Sequence, residues 1–196
     1  MISRIAHPTD FSPQSSAAFL HALRLALEFR CALDLLHVRS PRARENWTGF
    51  PQVRETLSRW GLIDFDSSLS EDARGSDASD LGITVEKVEI ARQDPVAGIS
   101  ESILSHRPEL ILMATHQHAG LASWLSGSVS ESIARETHIP TLFFGPNARP
   151  FVNENTGEIT LSRVVVPLAR DPSPRRALHR LNNLINCSIV EMSSIH

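Results

Sequence analysis

The sequence lacks several features that mark particular classes of protein. Only two of its 196 residues are cysteines, Cys31 and Cys187. Both lie in apolar segments and fit no metal-ligand spacing, so we expect reduced packing residues and no disulfide framework. No apolar run approaches the roughly 18 residues that a membrane span needs, and the N-terminus has neither a basic leader nor an apolar signal core. The sequence therefore predicts a cytoplasmic protein with no membrane partner.

Positive charge is scarce where a nucleic acid would need it. The formal net charge is -3, and five arginines against two acidic residues give residues 161–196 a net charge of +3, which leaves -6 for residues 1–160. A nucleic-acid surface normally has a basic face with aromatic side chains among the cations. The acidic part offers no such face, so we expect no nucleic-acid partner. The arginines near the C-terminus are expected to form a solvated helix face or to contact the acidic part.

Residue patterns typical of enzymes are also missing. Ser12, Ser128 and Ser130 do not lie in a nucleophile elbow, and no Ser–His–Asp set is identifiable. His116 and His118 lie two residues apart in THQHAG without a third ligand nearby, so we expect no metal site there. Nothing in the sequence indicates the acid–base pair or metal cluster that catalysis needs. We therefore predict that the protein is not an enzyme and has no catalytic residues.

The sequence does contain a regular alternation of apolar strands and helices. Five short apolar segments have the pattern of buried strands: SRIAH, CALDLLHV, ITVEKVEIA, ELILMATH and IPTLFF. Helical patterns lie between them, and Ser12 followed by Pro13 predicts the first helix start. A polar, serine-rich stretch, DSSLSEDARGSDASD, is interpreted as a mobile insertion. The alternation predicts an α/β domain over residues 1–146, an open five-stranded parallel sheet with helices on both faces.

The opening pattern recurs near the C-terminus. SRVVVPLARDPSP repeats the order of SRIAHPTDFSP, and CSIVEMSSI repeats that of CALDLLHV. We interpret residues 147–160 as a polar linker and residues 161–196 as a truncated second copy with a β-α-β pattern. RVVVPL and CSIVEM are too apolar to remain in water, and so short a unit cannot build its own core. We therefore expect this part to pack on the first domain.

Several segments together resemble the universal stress protein family over about residues 1–146. They are HPTDFS, LLHV, ELILMATH and GLASWLSGSVSESIARETHIPTLFF, in the family's order, and the partial repeat is similar to tandem members cut short. The resemblance implies a nucleotide cleft at the carboxyl edge of the sheet and a role in stress survival through binding and signalling. It also implies an adenine nucleotide as ligand, with magnesium if that ligand is ATP, and a homodimer. IPTLFF fits a dimer interface, because an apolar edge strand exposes unpaired backbone groups; the truncated second copy is the alternative cover for this edge.

The physics of open α/β sheets places a ligand at the same edge, in the crevice beyond the carboxyl ends of the strands. The resemblance implies that Asp10 contacts the ribose and that the backbone of Val38 meets adenine. Asp10 has an alternative role, which is to cap the turn before Ser12 and Pro13. The predicted nucleotide-binding residues are Pro8, Thr9, Asp10, Val38, Met113, Ala114, Gln117, Gly127, Ser128, Val129 and Ser130.

The phosphate end departs from the family pattern. ATP-binding members resemble G-x-x-G, nine residues, then G-[ST], and the corresponding positions here are Ala114, Gln117, Gly127 and Ser128. Two of three glycines are replaced by residues that resist close backbone approach. Ser128 and Glu131 predict a capping box whose helix N-terminus either receives an anion or is simply well capped.

Two functions stay open on this sequence. One is an adenine-nucleotide-binding stress protein with an impaired pocket for the β- and γ-phosphates. The other is a universal stress protein that binds no nucleotide and acts through dimerisation and protein partners. A slow ATPase, the enzymatic alternative, has no supporting residue pattern.

Overall fold

The structure is a computed structural model, and it describes residues 2–64, 75–115 and 128–164, with only the backbone described at residues 75–77. Gln117, Gly127 and residues 165–196 lie outside the described residues. The helices and strands, in chain order, are β1 (Arg4–Pro8), α1 (Pro13–Phe29), β2 (Ala32–Arg39), α2 (Val53–Arg59), β3 (Gly75–Ala78), β4 (Ile83–Ala91), α3 (Pro95–His106), β5 (Leu110–Ala114), α4 (Val129–Thr137) and β6 (Thr141–Phe144).

The five predicted strands form one parallel sheet in the order β4-β2-β1-β5-β6, which confirms the predicted fold class. A sixth strand, β3, pairs antiparallel with the outer edge of β4. This strand lies within the polar stretch that the sequence predicts to be an insertion. Its pairing runs from Gly75 opposite Glu86 to Ala78 opposite Ile83. Backbone groups alone make such a ladder, so no apolar pattern reveals it.

Helices cover both faces of the sheet because alternate residues of each strand point to opposite sides. One face packs against α1 and α2 and the other against α3 and α4. The first core contains Ile5, Leu33, Leu35, Leu110 and Leu112 from the strands. The second contains Ala6, Leu36, Ile111 and Met113. None of the helices that the structure describes is long and apolar enough to cross a membrane.

The ends of the helices follow local chemistry. Ser12 caps α1 as predicted, with its Oγ accepting the Ser15 N–H at 3.2 Å and proline at the next position. Three helices end on left-handed residues that are not glycine: Arg30 after α1, Arg107 after α3 and His138 after α4, with φ of 50°, 52° and 57°. A strand begins shortly after each of them, so these three caps lie at the amino edge of the sheet.

The segment after β6, residues 145–164 and here termed the strap, lies against α1 and α2. Val152 is buried and forms an antiparallel bridge with Ile159. Gly157 has φ of 69° and rests on the Trp60 indole so closely that a Cβ there would lie 2.6 Å from the ring. The indole Nε1–H donates to the Glu154 C=O at 3.0 Å. The strap contains the predicted linker, and the contacts of Val152 and Gly157 show that it packs on the first domain. The domain boundaries stay a prediction.

Candidate functional site

The turn after β1 is built around the side chain of Thr9. The Thr9 N–H donates to the Leu36 C=O at 2.8 Å, which is the last link between β1 and β2 before the chain turns. The Thr9 Oγ1 then accepts the Phe11 N–H at 3.1 Å and the Ser15 hydroxyl at 2.9 Å. Thr9 is buried. One hydroxyl therefore joins the turn to the first residues of α1.

Asp10 lies exposed at the carboxyl edge of the sheet. Its Oδ1 accepts the Ser12 N–H at 3.0 Å, so the turn-capping role considered from the sequence is present. Phe11, between these two residues, has φ of 64°, and the capped turn holds it in that conformation. A carboxylate accepts through two oxygens, so capping and contact with a ribose hydroxyl are compatible.

Val38 lies beside this turn, near the end of β2. Alternate residues of a strand direct their backbone groups to the same neighbour, so the peptide groups of Val38 point the same way as those of Leu36. The Leu36 C=O points at β1, where it accepts the Thr9 N–H. The chain of β1 leaves the sheet one residue later, at Asp10. The backbone of Val38 therefore faces the crevice in which the resemblance places adenine.

His37 holds the two sides of this crevice together, a role that the sequence did not indicate. Its Nδ1 lies 2.9 Å from the Thr9 carbonyl oxygen, which only accepts hydrogen bonds, so Nδ1 carries the proton. Its ring stacks on Phe11 with centroids 3.9 Å apart and planes at 23°. Phe50 packs edge-on against Phe11 at 5.3 Å. These contacts hold His37, which precedes Val38, against Phe11, which follows Asp10.

A buried carboxylate braces the loop that follows Val38. The Glu89 side chain is 2% exposed, and its two oxygens accept the Arg39 Nε–H and the Asn46 N–H, each at 2.8 Å. Arg39 Nη1 also donates to the Ala43 C=O at 3.0 Å. Both ends of the loop are thereby tied to β4. The edge beside Val38 is therefore fixed before any ligand arrives.

The phosphate end is described only at β5 and α4. Ser128 caps α4, and its Oγ accepts the Glu131 N–H at 3.2 Å, which forms the first half of the predicted capping box. The Glu131 carboxylate pairs with Arg135 at 2.6 Å. The Ser130 hydroxyl donates to the Ala114 C=O at 2.9 Å and so joins α4 to the end of β5. First-turn N–H groups have no partner inside a helix, which leaves those of Ser128, Val129 and Ser130 as candidate donors.

Other predicted site residues lie close by or outside the described ranges. Pro8 is buried and pairs in register with Leu36. Met113 is 3% exposed within the core on the α3 and α4 face, so only its backbone is available at the crevice. Gln117 and Gly127, like His116 and His118, fall outside the described residues.

His7 precedes Pro8 and is fully buried, with Nδ1 2.9 Å from the Leu112 carbonyl oxygen. Burial lowers the pKa of His7 to about 4. The ring is therefore neutral at pH 7 and supplies no positive charge for a phosphate. Within residues 2–64, 75–115 and 128–164, no group of three or more His, Cys, Asp or Glu side chains is placed to hold a metal ion.

Comparison with known proteins identifies the family. The universal stress protein family profile matches residues 1–144. Similar solved structures include a universal stress protein in complex with cAMP, at 20% identity and TM-score 0.51, covering 72% of this chain and 95% of that one. One from Archaeoglobus fulgidus has 15% identity and TM-score 0.46, covering 73% and 93%.

A family member from Arabidopsis thaliana with AMP bound has 16% identity and TM-score 0.41, covering 80% of this chain and 99% of that one. No curated protein sequence matches the chain. At these identities the structural likeness shows the fold alone. The family profile spans most of the sequence, and the chain therefore belongs to the universal stress protein family.

Proposed function

We propose that this universal stress protein binds an adenine nucleotide at the carboxyl edge of its sheet, and that it holds the adenosine part more firmly than the β- and γ-phosphates. The observation that carries the proposal is the built adenosine end. The Val38 backbone faces the turn at Asp10, and His37 ties the two together through its 2.9 Å contact with the Thr9 carbonyl. Such a preorganised edge lowers the ordering cost of binding.

The phosphate end supports a ligand with few phosphates. Glycine permits the close backbone approach that an ATP loop needs, and Ala114 and Gln117 replace it in the family's motif. The N-terminus of α4 still offers the N–H groups of Ser128, Val129 and Ser130 to one phosphate. A universal stress protein of similar fold is in complex with cAMP, which carries a single phosphate. We propose binding and signalling without turnover, with Mg²⁺ only as the companion of ATP.

A titration with ATP, ADP, AMP and adenosine, with and without magnesium, tests this proposal. We expect AMP to bind at least as tightly as ATP.

The substitution Asp10→Asn tests the role of the carboxylate. It keeps an oxygen that accepts the Ser12 N–H but removes the charge. It should therefore weaken adenosine binding about tenfold, equal to about 1.4 kcal/mol, with little change in folding stability. Asp80→Asn makes the same charge change at an exposed position near the opposite edge and is the control. Unchanged affinity in Asp10→Asn would show that Asp10 only caps the turn.

A second candidate function, protein association without a nucleotide, is favoured by the position of β6. This strand is at the edge of the sheet, and Leu142 and Phe143 are only partly buried. An edge strand with apolar side chains can pair with another chain, and we propose a homodimer through this strand. A dimer by light scattering that binds none of the four ligands would favour this function over the first.

A further inference from the structure

The attachment of the strap depends on one buried histidine of α1. His21 Nδ1 lies 2.7 Å from the Ala17 carbonyl oxygen, and its Nε2 accepts the Phe151 N–H at 2.9 Å and the Val152 N–H at 3.3 Å. A carbonyl oxygen only accepts, so Nδ1 must carry a proton, while Nε2 needs its lone pair for the two amides. Only the neutral ring with its proton on Nδ1 satisfies all three contacts.

The surroundings of His21 disfavour a second proton. The side chain is 1% exposed, and its ring lies 4.3 Å from both the Phe144 ring and the Phe151 ring, measured between centroids. A proton on Nε2 would face two N–H donors in an apolar contact. Burial accordingly lowers the pKa of His21.

Charged groups on the neighbouring elements do not offset this effect. On α1, Arg24 pairs with Glu28. The strand β6 carries no charged residue, and neither does β5 beside it. The charged residues of the strap are all exposed, and none forms an ion pair with His21: Arg149, Glu154, Glu158 and Arg163.

We propose that His21 is a pH-sensitive latch, which holds the strap against α1 when neutral and releases it when protonated. The latch requires no bound nucleotide. Because the pKa of latched His21 lies below that of a free histidine, the contact stabilises the closed strap above about pH 6.5. This stabilisation is lost as the pH falls from there toward the pKa of the latched ring.

Release is confined to the part of the strap around Phe151 and Val152. The Trp60 indole holds the next part of the strap through Glu154 and Gly157, and neither contact involves a group that titrates near neutral pH. A cavity of about 850 Å³ already separates the strap from the first turns of α1 and reaches Phe11, which stacks on His37. Opening at Phe151 and Val152 would widen this cavity beside the turn that carries Asp10. A fall in pH would thus change the shape of the cavity that adjoins the candidate site.

Hydrogen exchange of the Phe151 and Val152 amides, followed by NMR on the full chain between pH 7.5 and 5, tests the latch. Corrected for the intrinsic exchange rate, protection of these two amides should be constant above about pH 6.5 and should fall below it, by up to about tenfold for each pH unit until the pKa of the latched ring is reached. Leu35 in β2 should stay far better protected than these two amides at every pH in this range, which separates local release from global unfolding. Protection that is independent of pH at Phe151 and Val152 would overturn the proposal.

Two variants sharpen the result. His21→Gln offers an amide oxygen near the position of Nε2 but does not titrate, so its strap amides should stay equally protected, or uniformly less protected, across the range. His138→Asn removes an exposed histidine at a left-handed position that asparagine tolerates, and should behave as the parent. If His21→Gln shows the same acid-dependent loss as the parent, another group is responsible. An NMR titration of the parent's His21 ring with a midpoint below about pH 6.5 supports the latch independently of any variant.

Discussion

The two edges of the sheet each carry an aspartate, and their surroundings differ. At the amino edge, Asp34 is 1% exposed, forms an ion pair with Arg4 and lies 3.3 Å from His106 Nδ1. At the carboxyl edge, Asp10 is exposed and accepts a backbone N–H from Ser12. The first carboxylate is enclosed by side chains of the protein. The second is held by the backbone at the place where a ligand is expected, so the same residue type is buried in packing at one edge and exposed to solvent at the other.

Burial dominates the electrostatics of the amino edge. It raises the pKa of Asp34, and the attraction of Arg4 and His106 only partly opposes this effect. The Asp34 Oδ2 and the His106 Nδ1 are close enough for an ion pair, yet neither atom makes a hydrogen bond within the part of the chain that the structure describes. A buried ion pair of this kind contributes little net stability. At the carboxyl edge, by contrast, the Thr9 hydroxyl and the Asp10 carboxylate both accept hydrogen bonds.

The largest effect is expected at the carboxyl edge from Thr9→Val. Valine keeps the shape but removes the oxygen that accepts the Phe11 N–H and the Ser15 hydroxyl. Leaving such groups without a partner should lower the free energy of unfolding by about 2 kcal/mol, measured by urea denaturation. Ser16→Ala, which removes an exposed hydroxyl bond of 3.3 Å, is the control and should have little effect. A Thr9→Val protein as stable as its parent would show that the turn does not depend on this hydroxyl.

A smaller effect is expected from restoring the two motif glycines. Ala114→Gly combined with Gln117→Gly should tighten ATP binding about tenfold, which corresponds to about 1.4 kcal/mol and is comparable to relief of backbone strain at one or two positions. Adenosine affinity should stay the same, because the adenosine end is built by other residues. If the parent already binds ATP at micromolar levels and the double variant does not improve it, the loop accommodates these side chains.

The smallest effect is expected from Asp34→Asn. Since the folded-state pKa of Asp34 is raised, its contribution to stability is present below the unfolded value of about 3.9 and is lost as pH rises through the folded value. The variant lacks this loss, so its stability relative to the parent should increase with pH. The difference should be below about 1 kcal/mol near pH 7, because the Arg4 and His106 side chains that are left behind are 32% and 30% exposed and can be solvated by water. Asp80→Asn should show no such trend. A large destabilisation near pH 7 would mean that the ion pair with Arg4 outweighs burial.

The sequence predicted those features of the fold that depend on short stretches of the chain. The start of α1 follows from Ser12 and Pro13, and the five parallel strands follow from apolar segments of the right length. The strand β3 was missed because its ladder uses backbone groups of a polar segment. Asp10 lies exposed at the sheet edge and makes the turn-capping bond that the sequence offered as the alternative to ribose contact.

Contacts between distant residues were beyond the reach of these patterns. His37 contacts Thr9, 28 residues earlier, and His21 contacts Phe151, 130 residues later. A lone histidine in a strand or helix gives no sign of such a partner. The roles of the predicted site residues in binding stay predictions.

The three left-handed helix caps offer a separate way to raise heat resistance. Arg30, Arg107 and His138 hold a conformation that costs a side-chain-bearing residue of order 1 kcal/mol and that glycine adopts freely. All three lie at the amino edge, across the sheet from the candidate site. Glycine at these caps would add stability on the side of the domain opposite the candidate site, so engineering can raise thermal tolerance there without changing the residues of that site.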